Sequence, residues 1–217
     1  MAMKFNILAW VSLSIVVCNL YLLATSRLSG MIRGVAAQGF LMSLLPLLLP
    51  NPAEKAHMFL LVFLSVAIKG VIIPRYLYQA IREVRELCEV NPAVGYSLSV
   101  IYGILVSAFA FYLLGKIGLS SVTVSPFHAA TAIATAFIGI FLIVARQNVV
   151  SQIIGYLVLE NSGFILGISI AAFQPLFIEM GVLLDMLVGV FIMVMAVNHI
   201  YTEHDTISLR KLERLTR

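Results

Sequence analysis

Residues 151–172 read SQIIGYLVLENSGFILGISIAA, one apolar run with Glu160 and Asn161 at its centre. A helix needs about 20 apolar residues to cross a bilayer, and this run supplies them. Rising about 1.5 Å per residue, the chain carries Glu160 about 16 Å from the end of the run near Val149, close to mid-membrane. An ionisable side chain at such a depth costs roughly 2.5–3.5 kcal/mol even on a lenient insertion scale. Two other runs repeat the anomaly. GVLLDMLVGVF, residues 181–191, carries Asp185, and FLSVAIKGVII, residues 63–73, carries Lys69.

The rest of the composition fits the same solvent. Of 217 residues 61% are hydrophobic and 11% charged, with a mean hydropathy of +1.04, whereas a soluble domain is about a quarter charged. The expectation is an all-α integral membrane protein with about seven transmembrane helices. Seven spans take up roughly 140 residues and leave only short loops, so soluble catalysis falls to partners. A net charge of +4 would point to nucleic acid in a soluble protein. Here the basic residues gather at helix ends and read as orientation signals. There are only two cysteines, Cys18 in the first span and Cys88 in a loop, which excludes a disulfide framework or a cysteine metal cluster. The first apolar run, 5–24, is longer than the roughly 7–15 residues of a signal-peptide core and reads as an uncleaved helix.

Apolar runs bounded by charge, proline or glycine place spans at 4–25, 32–50, 57–79, 95–115, 126–145, 149–172 and 178–200. Pro126 opens the fifth, where proline suits a first helical turn. Pro74 lies inside the third and should kink it close to Lys69. Ten of the fourteen basic residues, among them Arg27, Arg33, Arg75, Arg146 and Lys211, fall on one side of these spans. The positive-inside rule then puts the N-terminus outside and the C-terminus in the cytoplasm. Residues 81–90, IREVRELCEV, read as an amphipathic extension of the third helix, and 207–217 as an interfacial tail. Gly163 and Gly167, and Gly30 and Gly34, have the four-residue spacing of close helix contacts.

The candidate residues are Lys69, Glu160, Asp185, His128 and His199, read together as a proton relay. Intramembrane ionisable groups are functional by default; the structural alternative is a buried ion pair that ties helices together. Glu160 and Asp185 lie within one to two turns of each other in depth, and short loops around Arg146 and Pro175 make the last three helices neighbours. Two acids facing one cavity perturb each other's proton affinity, which suits a relay. Lys69 serves either as their counter-charge or as a member of the path. His128 and His199 lie near opposite faces and would pass protons to and from the centre, although an interfacial histidine more often only caps or snorkels. Gln38 is a mid-depth polar bridge. The sequence holds no phosphate loop, Cys-x-x-Cys, HExxH or nucleophile elbow, and no opposed histidine pairs for haem.

Arg146-Gln147-Asn148-Val149-Val150, Ile154-Gly155, Asn161, and Asp185 with Gly189 resemble the K-type subunit of respiratory complex I and the C-type subunit of Mrp antiporters. Asp185 matches the second acid of that pattern. The first would fall at Leu157, and the acid here stands one turn on, at Glu160. With its N-terminal helices, its length and the stretch IGYLVLENSGF, residues 154–164, the chain resembles the component E family of hydrogenase-4-type complexes. The resemblance implies a region of four helices over 1–117, a K-type region over 118–202 and a cytoplasmic tail over 203–217. It implies a multi-pass subunit of the cell inner membrane beside antiporter-like and quinone-binding-type subunits and a cytoplasmic hydrogenase arm. It implies no cofactor in this chain, with NiFe and iron–sulfur centres in the partners.

Overall fold

Where charged or proline-bearing breaks interrupt the apolar runs, helices end. The computed structural model describes residues 2–48, 55–84, 92–117 and 126–170. They form α1 (Ala2–Ala24), α2 (Leu28–Leu48), α3 (Lys55–Ala67), a π turn (Ile68–Ile72), α4 (Ile73–Val84), α5 (Tyr96–Ile117), α6 (Pro126–Ala145) and α7 (Val149–Ile170). Four helices hold a stretch long and apolar enough to cross a membrane: Leu28–Leu45, Tyr96–Lys116, Phe127–Ala145 and Val149–Gly167. The first helix adds a shorter apolar stretch, Ala9–Ala24. The expected seventh span with Asp185 and His199, and the tail 203–217, lie outside the described residues, as does Cys88.

Local chemistry sets the ends. Asn148 caps α7, its Oδ1 accepting the Val150 N–H at 2.8 Å, as N-cap side chains do. Pro126 starts α6, where the missing N–H costs nothing. In the third span Pro74 has no N–H to donate, and its ring would crowd the Gly70 carbonyl one turn back. The chain widens there instead, and the Ile73 N–H donates to Ile68 O, five residues back. The kink expected at Pro74 thus takes the form of a π turn, and Lys69 lies within it.

Antiparallel α6 and α7 bring their backbones together at two glycines. A Cβ at Gly139 would stand 2.6 Å from Leu159 N, and one at Gly155 2.8 Å from Ile143 N. Gly163 is exposed, and among the described residues a Cβ there meets nothing within 4 Å, so the close contact its spacing predicted does not form with them. Gly34 does allow a close approach, with Leu22 Cδ2 2.8 Å from where its Cβ would be.

Arg146 departs from its expected place among solvated basic residues. It is buried at 1% exposure. Its Nη2 donates to Leu23 O at 2.8 Å, and its guanidinium stacks 4.4 Å from the Tyr96 ring centroid. Leu23 lies in the last turn of α1, where carbonyls lack helical partners and the helix dipole is negative. A cation placed there answers both demands.

Among the described residues the core has three apolar clusters, a small one of Leu114, Ala129 and Ala130 and two larger ones. One joins Leu22 and Leu23 of α1, Val35 of α2, Ile68, Ile73, Ile138 and Leu142, and Leu157 and Val158 of α7. The other joins Ile15, Met42, Leu45, Ala132, Phe164 and Ile165. Between them each of α1, α2, α6 and α7 carries a buried polar side chain. Those four are Asn19, Gln38, Thr135 and Glu160.

Gly139→Leu should lower the stability of the purified chain in detergent by about 1–3 kcal/mol, since its new atoms meet α7 backbone. Gly163→Leu should stay within about 0.5 kcal/mol. Arg146→Met should cost about 1.5–3 kcal/mol, the worth of a hydrogen bond from a charged donor. Thermal or denaturant unfolding checks all three.

Candidate functional site in the polar layer

Lys69 and Glu160 are 91 positions apart in sequence, and the fold joins them inside the bundle. The π turn directs Lys69 inward, and its exposure is 6%. Glu160 and Asn161, on α7, are exposed by 8% and 3%. The Lys69 ammonium donates to Asn161 Oδ1 at 3.0 Å and stands 3.8 Å from Glu160 Oε1. The same nitrogen lies 5.1 Å from the Phe164 ring centroid, within range of a cation–π attraction. Phe164 is one turn beyond Glu160 on the same face of α7.

Gly39 makes room for the lysine stem. A Cβ at that position would come 2.9 Å from Lys69 Cβ, so α2 and the π turn approach more closely than side chains permit elsewhere. Beside them a cavity of about 10 Å³ is lined by Val35, Gly39, Lys69, Ile73, Leu157 and Asn161. That is room for about one water, with an ammonium and an amide to hold it.

A second group crosses α1, α2 and α6. Gln38 Nε2 donates to Asn19 Oδ1 at 3.0 Å, Asn19 Nδ2 to Thr135 Oγ1 at 2.8 Å, and Thr135 Oγ1 to Thr131 O at 2.7 Å. Nearer the start of α6, His128 Nδ1 lies 3.2 Å from Ser12 Oγ. Ser43 Oγ bonds Gly39 O at 2.8 Å and Ser65 Oγ at 3.0 Å, tying α2 to α3 one turn from Lys69.

Of the five expected relay residues, Lys69 and Glu160 meet. His128 is buried on a separate rung with Ser12, and Asp185 and His199 lie outside the described residues. Gln38 bridges helices, as its depth indicated. Thr135 and Ser12 give a weak sequence signal, because hydroxyls in helices usually bond their own backbone. Asn19, a lone amide in the middle of an apolar run, was the available clue.

Chemically the centre couples a proton donor to an acceptor in a medium of low dielectric, where each charge state strongly biases the other. Lysine and glutamate at 3.8 Å can be an ion pair or, after one proton transfer, a neutral pair. The Asn161 amide solvates the ammonium without carrying a proton itself. Among the described residues no three His, Cys, Asp or Glu side chains gather as metal ligands.

No family model matches the chain, and no solved structure matches it. Hydrogenase-4 component E of Escherichia coli (strain K12) is 22% identical over 147 residues, covering 68% of either chain. The Shigella flexneri protein of the same description matches with the same identity and coverage. The similarity supports a hydrogenase-4 component E-like assignment, in agreement with the resemblance drawn from residues 154–164.

Proposed function

We propose that this chain is an integral subunit of a complex-I-like membrane complex, a group 4 NiFe hydrogenase or a formate hydrogenlyase. Within that complex it contributes a polar axis through which protons or sodium ions cross the membrane, coupled to redox chemistry in partner subunits. The observation that carries the reading is the buried contact of Lys69 with Glu160 and Asn161, in a chain similar to hydrogenase-4 component E. Nickel–iron and iron–sulfur centres belong to the partners, which supply the electron chemistry. The neighbours are antiporter-like and quinone-binding-type membrane subunits and a cytoplasmic hydrogenase arm. Seven helices in the cell inner membrane, N-terminus outside and C-terminus in the cytoplasm, complete the reading.

The ion path runs through the pair. A change of field from the partners shifts the proton between the Lys69 ammonium and the Glu160 carboxylate. Asp185, one span later in sequence, continues the path, and His128 and His199 exchange protons near its two ends. The small cavity beside Asn161 gives a water position next to the ammonium. A second reading has support from the same contacts: an ammonium held by Glu160, Asn161 and Phe164 ties α3 to α7, which a purely structural subunit would also need.

Variants separate the two. Glu160→Gln keeps size and hydrogen-bonding capacity but cannot ionise. In an assembled complex it should cut ion translocation at least about a hundredfold, the low end of what a positioned proton carrier contributes, while subunit content stays normal because the ammonium keeps its contacts with Asn161 and Phe164. Full translocation would refute the path. Lys69→Met alone should lower assembly, because it leaves a buried carboxylate without its cation. The double variant Lys69→Met/Glu160→Gln removes both charges and should recover assembly without translocation. Recovery of both would favour the structural reading.

A further inference from the structure

We propose that Asn19, Gln38 and Thr135 form the second half of one hydrated site around Glu160, reached from the N-terminal end of α6 along Thr131 and His128. The proposal deepens the reading of Lys69 and Glu160 as an ion path and rests on it.

Helix register places these residues at one level. Ser12 meets His128 and Asn19 meets Thr135, both at a separation of 116 residues, so α1 and α6 run parallel. As second arms of tight hairpins, α2 and α7 run the other way. Ile15, Met42, Ala132 and Phe164, one from each helix, share an apolar cluster. One turn further toward the middle of the bundle, at spacings of three or four, stand Asn19, Gln38, Thr135 and Glu160. Residues at such spacings share a helix face. Another turn reaches Leu22, Val35, Ile138 and Leu157, all in the other apolar cluster. The Glu160 turn of α7 is therefore level with the amide–hydroxyl triad and closed above and below by apolar layers.

The hydrogen-bond inventory leaves polar atoms for water to satisfy at two points. Donors run from Gln38 to Asn19, to Thr135 and on to Thr131 O. Gln38 is fully buried, and among the described residues its Oε1 has no hydrogen-bond partner. The same holds for Nε2 of His128, exposed by only 4%. A buried polar atom left dry costs about 1–3 kcal/mol, whereas a bound water satisfies it. His128, Thr131 and Thr135, spaced three and four apart, line one buried stripe of α6, and this stripe joins the two points. Hydroxyls, amides and an imidazole suit water and the protons it carries. A bare metal cation would want a cage of oxygen ligands with carboxylates among them, and Glu160 is the one carboxylate in this layer among the described residues.

Water can be sought with a silver ion, which follows narrow water files and binds thiolates. In the assembled complex with Cys18→Ala and Cys88→Ala, Thr135→Cys should be blocked at least about tenfold faster than Ile138→Cys, because only an ionised thiol reacts and a dry one ionises poorly. Thiols left free on this chain are counted after unfolding and separation of the subunits. Equal rates at the two positions would overturn the proposal. Should Thr135→Cys fail to assemble, Thr131→Cys takes its place, since among the described residues its hydroxyl bonds Phe127 O of its own helix. A density map of the complex gives a second test: water within hydrogen-bond distance of Gln38 Oε1 and His128 Nε2 supports the branch, and protein atoms packed against both refute it. Blocking rates do not depend on translocation. A reactive Thr135→Cys together with full translocation by Glu160→Gln would therefore sink the ion path and leave a water site. An unreactive one with impaired Glu160→Gln would sink only the branch.

Discussion

An ammonium and a carboxylate held in an apolar bundle are the constraint to which the other contacts answer. Each costs roughly 2.5–3.5 kcal/mol to place at mid-membrane. Their attraction at 3.8 Å recovers about 4 kcal/mol at an effective dielectric near 20. The Asn161 bond adds about 1.5–3 kcal/mol, and the Phe164 face about 0.5–2 kcal/mol. Cost and return nearly cancel. A pair so balanced is not a strong clamp, and its position depends on the helices that hold it.

Positioning that pair takes three separate backbone devices. The π turn before Pro74 sets the direction of Lys69, because widening the helix by one residue rotates the side chains that follow. Gly39 lets the lysine stem cross α2. Gly139 and Gly155 seat α7 against α6, which fixes the height of Glu160 relative to the bundle. At the far end of that hairpin, Arg146 fastens the turn to α1 through Leu23 O. Packing of this kind matters more in lipid than in water, since hydrophobic burial gives little reason for apolar helices to associate there.

Much of this was legible in the sequence. Among the described residues, apolar runs gave helices whose ends fall within about five residues of the observed ones, and charge inside such a run marked Lys69 and Glu160 without any knowledge of contacts. Other features depend on tertiary neighbours. Nothing local says that Asn161 rather than Glu160 takes the shortest bond from Lys69, or that Asn19 finds Thr135. Arg146 looked like an ordinary cytoplasmic arginine because its partner carbonyl is 123 residues away. Glycine spacing pointed to Gly34, which does meet Leu22, and to Gly163, whereas the close approach of helix backbones formed at Gly139 and Gly155, which are on different helices and form no motif. A proline kink was readable, but its resolution as a π turn needed the backbone.

Arg27 and Arg146 occupy corresponding places in the architecture. Each arginine follows the first arm of a helical hairpin, α1–α2 and α6–α7, and the first arms run parallel. Both hairpins place one polar residue per arm in the same layer, Asn19 and Gln38 from one, Thr135 and Glu160 from the other. They differ in charge. The first hairpin is neutral at this level and is followed by the helix that brings Lys69; the second carries the acid that Lys69 meets. Each unit therefore lacks a charge that the other supplies, and the ion pair closes the bundle across the two rather than within either. A displacement of one hairpin against the other would therefore change the Lys69–Glu160 separation, 3.8 Å in this arrangement.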